Sequence, residues 1–87
     1  MASATYLYVL LPAGHHPDRD GLPADVETLL AEVPETALGG GSGYEQQDDG
    51  RWCFHKTITS RDRLDIAKAL ASRLRDVGYR AFVRTRR

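Results

Sequence analysis

The chain has 87 residues, 41% of them apolar, and twelve Lys and Arg balance twelve Asp and Glu to a formal net charge of zero. That length makes one domain with one modest core, leaving little surface for a deep, dry pocket and so arguing against multistep chemistry. The single cysteine, Cys53, excludes an internal disulfide, and no apolar run approaches the ~20 residues of a membrane-spanning helix.

The opening residues MASATYLYVLLPAG hold an apolar stretch with no basic segment ahead of it, which predicts a cytoplasmic protein without a signal peptide. Within it, Thr5 to Leu11 reads as a first strand rich in Tyr, Leu and Val, and Pro12 ends it because proline cannot donate to a ladder. Alternation puts Leu7, Val9 and Leu11 on one face and Tyr6, Tyr8 and Leu10 on the other. AGHHPDRDG follows as a polar loop of turn residues. Pro23 suits the first turn of a helix, which Val26, Leu29, Leu30 and Val33 carry at helical spacing until Pro34 stops it.

Thr36 to Asp48 reads as a second strand with a glycine-rich first half, GGGSG at Gly39 to Gly43. Asp49 and Gly50 suit a two-residue type I′ hairpin turn, in which both central residues take positive φ, and Arg51 to Thr59 becomes the antiparallel partner. On that strand Trp52, Phe54, Lys56 and Ile58 share one face, and Arg51, Cys53, His55 and Thr57 the other. Thr59 with Asp62 resembles a capping box with aspartate in place of Glu or Gln. Leu64, Ala67, Leu70, Ala71, Leu74 and Val77 then recur at three and four residues until Gly78 supplies a C-cap. Tyr79 to Thr85 closes the chain as a strand, with Ala81 and Val83 opposite Arg80, Phe82 and Arg84.

The order βαββαβ predicts an α+β fold with residues 1–87 as a single domain. Two βαβ halves with right-handed crossovers around a central hairpin give a ferredoxin-like sandwich: a four-stranded antiparallel sheet in the order 4-1-3-2 with both helices on one face. GGGSG entering a hairpin, followed by a strand and an LxxAxxL helix at Leu64 to Leu70, is similar to an uncharacterised group of small stand-alone ferredoxin-like proteins of bacteria. The resemblance implies the fold and, because that fold serves many functions, no activity.

No catalytic or metal-binding constellation emerges. A phosphate loop needs its glycines ahead of a helix N-terminus, whereas GGGSG leads into a hairpin without a lysine, so a bulged or twisted edge strand is expected. His15, His16, Asp18 and Asp20 are metal-ligand types, yet neither HxxxH nor CxxC completes a site. Cys53 and His55 lie on one strand face with Cα atoms roughly 6.5 Å apart, but no oriented base or oxyanion site accompanies them. LYVLLP resembles the first-strand motif of RNA-recognition sheets, whose aromatics stack bases, while RWCFHKTI lacks the glycine pattern of the second motif.

Charge is divided along the chain. Residues 1–50 hold Arg19 against nine acidic side chains, and residues 51–87 hold eleven basic ones against Asp62, Asp65 and Asp76, so the halves carry −8 and +8. In the expected topology Arg80, Arg84, Arg86 and Arg87 line one sheet edge and Glu45, Asp48 and Asp49 the other, which discourages strand pairing and offers a charged dock. The expectation is a non-enzymatic protein-binding module of inhibitor, immunity or regulatory type, acting through its open sheet face and a charged edge. Tyr6, Tyr8, Tyr44, His55, Arg73, Arg80 and Arg84 are the candidate contacts, with another protein or a second copy as partner and no cofactor, metal or membrane. The alternative is a nucleic-acid binder using the basic half, with Arg73 and Arg75 reinforcing the edge. A third reading is an enzyme that gains a pocket by dimerising, with Tyr8, His55 and Cys53 as its groups.

Overall fold

The computed structural model describes residues 4–33, 41–59 and 61–86. Seven elements follow one another: β1 (Ala4–Leu10), α1 (Pro17–Asp20), α2 (Ala24–Ala31), β2 (Ser42–Gln46), β3 (Trp52–Ile58), α3 (Arg63–Asp76) and β4 (Arg80–Arg86). The strands form one antiparallel sheet in the order β2-β3-β1-β4, which is 4-1-3-2 counted from the opposite edge. The expected stop at Pro34, the first part of the second strand with Gly39 and Gly40, the tail residue Arg87 and the side chain of Arg86 lie outside the described residues.

Register explains the core. Thr5, Leu7 and Val9 of β1 pair with Ile58, Lys56 and Phe54 of β3, and with Thr85, Val83 and Ala81 of β4, so these side chains share one face. Val26 and Leu29 of α2 and Ala67, Leu70, Ala71 and Leu74 of α3 close over that face in a single buried cluster. Trp52 and Phe54, whose face alternation leaves open, therefore belong to the helix side. Each large aliphatic side chain fully buried there contributes about 1.5–3 kcal/mol. Small Ala67, Ala71 and Ala81 let the α3 backbone settle close to the sheet.

The local chemistry of α3 sets both of its ends. Asp62 is the N-cap without a side-chain capping bond, so the Thr59–Asp62 box does not form; the cap is instead followed by the ordinary Ile66 N–H to Asp62 carbonyl bond. At the other end Gly78 has φ +100°, its N–H donates to the Arg75 carbonyl, and the Tyr79 N–H donates to the Leu74 carbonyl. That pair of bonds is a Schellman cap, which needs a left-handed residue and finds one in glycine. Arg75 Nε also donates to the Ala81 carbonyl at 2.9 Å, tying the helix to the strand that leaves it.

Two turns differ from expectation. The AGHHPDRDG segment is not an open loop but winds into α1, because the His16 ring accepts the Asp18 N–H and the Asp20 carboxylate accepts the His16 N–H. The β2–β3 turn is not type I′: within it Gly50 alone has positive φ, at +89°, and Asp49 does not. Gln47 donates to the Arg51 carbonyl and Gly50 to the Gln47 carbonyl, leaving the three-residue loop Asp48-Asp49-Gly50. Asp49 keeps negative φ because its carboxylate accepts the Arg51 N–H and guanidinium, a bond set that favours a type I turn closed by glycine.

Candidate functional site: the open sheet face

The face opposite the helices is built by the alternate residues of the same strands. One row crosses all four: Gly43 on β2, His55 on β3, Tyr8 on β1 and Phe82 on β4 are register partners in sequence. The next rows place Glu45, Cys53, Leu10 and Arg80 on one side, and Thr57, Tyr6 and Arg84 on the other. The side chains lie within reach because cross-strand neighbours sit about 4.5–5.5 Å apart.

Tyr8 is the centre of a packed aromatic group. Its ring stacks on Phe82 with centroids 5.0 Å apart and planes 6° from parallel, and it meets His55 at 5.9 Å and Tyr6 at 6.4 Å. The Arg84 guanidinium lies 5.3 Å from the Phe82 centroid and 5.8 Å from that of Tyr8, so it caps the stack by cation–π attraction. Phe82 remains 36% exposed. Gly43 serves this arrangement: a Cβ there would come within 3.0 Å of His55 Nε2, so glycine gives the imidazole its place on the sheet.

Beside the stack lies a cavity of about 330 Å³ lined by Tyr8, Glu45, Cys53, Phe82 and Arg84 together with the β2 end of the hairpin. Cys53 forms its floor and is only 3% exposed. Burial, with Glu45 nearby, pushes its thiol above the usual range, which keeps it protonated at neutral pH and makes it a poor nucleophile. The group Tyr8, His55 and Cys53 thus has neighbours but no thiolate.

Five of the seven sequence candidates meet on this face: Tyr6, Tyr8, His55, Arg80 and Arg84. Two do not. Tyr44 pairs with Phe54, so it points to the helix side, where its ring lies 5.5 Å from that of Phe54 and 38% of the residue stays exposed. Arg73 stands on α3 and forms an ion pair with Glu32 at 2.7 Å, a tie between α3 and the end of α2. Sequence reasoning passed over Phe82, Leu10 and Gly43 as contributors; the alternation of Phe82 with Arg80 and Arg84 was the available signal for the first. Neither Glu45 nor Arg80 has an ion-pair partner among the described residues.

The histidine and aspartate cluster near α1 is occupied by its own structure. His15 Nε2 bonds to the Gly21 carbonyl, His16 meets Trp52 edge-on at 5.4 Å, and the Asp20 carboxylate binds Arg19 and the His16 N–H, which hold its pKa down to about 2. Among the described residues no three His, Cys, Asp or Glu side chains come together as a metal site, and no helix is long and apolar enough to cross a membrane. No family model matches this chain, and neither a curated protein nor a solved structure is found to be similar to it.

Proposed function

We propose that the chain is a non-enzymatic protein-binding module of inhibitor, immunity or regulatory type, built on the ferredoxin-like arrangement of small stand-alone bacterial proteins, and that the open sheet face is its contact surface. The observation that carries this reading is the Phe82–Tyr8–His55 row, capped by Arg84 and left uncovered by the helices that close the other face. Tyr, Phe and Arg are the side chains that anchor protein interfaces, since they bring large area at small conformational cost. Here the rings already hold one another in place before a partner arrives, which lowers the ordering cost of binding.

A nucleic-acid ligand is the competing reading, and Arg80 with Arg84 beside aromatic rings is what favours it. Phe54 stands in the core and Trp52 packs against it, both on the helix side instead of the stacking surface, and Glu45 and Asp48 border the open face, where they repel phosphate. Immobilised protein should capture a protein from native lysate; Y8A/F82A should lose that capture and R73A should retain it. Equal capture by both variants would overturn the proposal. Fluorescence anisotropy with single-stranded RNA at low salt should show no binding; a complex whose affinity falls steeply with salt would replace the protein reading with the nucleic-acid one.

A further inference from the structure

Resting on the reading of the open sheet face as a protein contact surface, we infer that its occupant is a second copy of this chain, packed sheet to sheet about a twofold axis that runs along the strands. The face is self-complementary in that orientation only. Such an axis exchanges the two halves of the sheet, so β4 of one copy covers β2 of the other and β1 covers β3. Glu45 then stands over Arg80 of the second copy, and Arg80 over its Glu45, at both ends of the interface by symmetry. The central row meets itself in reverse: Phe82 comes over Gly43, where the His55 imidazole lies, and Tyr8 over His55. Leu10 meets Cys53 in the middle of the same row, between the two Glu45–Arg80 contacts, which keeps the centre of that row apolar.

The other twofold orientation, with the axis across the strands, lays β4 on β4. Arg80 of one copy would then stand over Arg84 of the other, and a like-charge contact at the edge opposes it. Unpaired Glu45 and Arg80 therefore choose between the two orientations. Aligned sheets cross at about 30°, and the reach of an arginine side chain spans the displacement this introduces. Three strands of seven residues and β2 of five, about 4.8 Å apart, make a face of at most roughly 19 by 23 Å. Its projection is about 440 Å², which the relief of its side chains raises toward the ~800 Å² per partner of a standard interface.

Sedimentation equilibrium on the intact chain tests the inference. The unaltered protein should dimerise, weaken as salt rises and remain associated through its aromatic band. E45R and R80E should each raise the dimer dissociation constant about tenfold or more, since each breaks two symmetric contacts, and E45R/R80E should return it to within about threefold of the original. F82D should abolish the dimer, with circular dichroism confirming that every variant retains its fold. A monomer at millimolar concentration would overturn the inference, as would tighter association of R80E, the signature of the crossed orientation. If the chain is monomeric yet lysate capture still depends on Tyr8 and Phe82, only the identity of the occupant fails. If both are absent, the contact-surface reading fails with it.

Discussion

Tyr79 shows how one side chain joins distant parts of the chain. Its hydroxyl donates to Asp25 Oδ1 at 2.6 Å, linking the start of β4 to the first turn of α2 across 54 residues of sequence. Burial and the neighbouring carboxylate both favour the neutral phenol, and its pKa is pushed up to about 12. A folded pKa above the unfolded value means that the contribution is fully present below about pH 10 and is lost as pH rises through 12. Spectrophotometric titration of tyrosinate should show a component near pH 12 that Y79F removes, and Y79F should lower stability by about 1 kcal/mol at neutral pH, the ordinary worth of one hydrogen bond. None of this was legible in the sequence, where Asp25 and Tyr79 are far apart. By contrast, the placement of Tyr6 and Tyr8 opposite Leu7 and Val9 was legible, because a strand permits only two faces. Tyr44 escaped because a two-residue turn at Asp49 and Gly50 would pair it with His55 on the open face, whereas the three-residue loop shifts the register by one and pairs it with Phe54.

Among the elements, α3 followed its sequence most closely, from its apolar repeat to its glycine cap. Its four fully inward positions, Ala67, Leu70, Ala71 and Leu74, are spaced at three and four, while Leu64 and Val77 at the ends of the same repeat remain exposed. Periodicity identifies a face but does not say where the partner layer ends. The cap gives a direct test: G78A forces a side chain into φ +100° and should destabilise the fold by about 1 kcal/mol in urea titration, with the secondary structure content unchanged. The hairpin and α1 were misjudged for a common reason. In both, a side chain competes with the backbone: Asp49 takes the Arg51 N–H, and His16 takes that of Asp18, so composition suggested turn residues without revealing which turn they make.

At the scale of the whole molecule, the chain order of strands and the antiparallel sheet were legible because hydrophobic period and punctuation agree along the sequence. The surface that matters most was only partly so, since Gly43, Phe82 and Cys53 acquire their roles from neighbours on three different strands. The same topology has a further consequence for charge. β2, with Glu45, forms one edge and α2 ends beside it at Glu32, while α3 packs over β1 and β4 at the arginine edge. Arg73–Glu32 and Arg51–Asp49 join the two halves of the sequence in ion pairs, yet Glu45 and the arginines Arg80 and Arg84 stay at opposite sheet edges, so a protein of zero formal charge keeps a residual charge dipole across its sheet. It should be retained at neutral pH and low salt by both cation- and anion-exchange resins, presenting a different flank to each. Its flanks are roughly 14 Å apart across the sheet, so retention on both should fade together once the screening length falls below that span, at about 0.05 M salt.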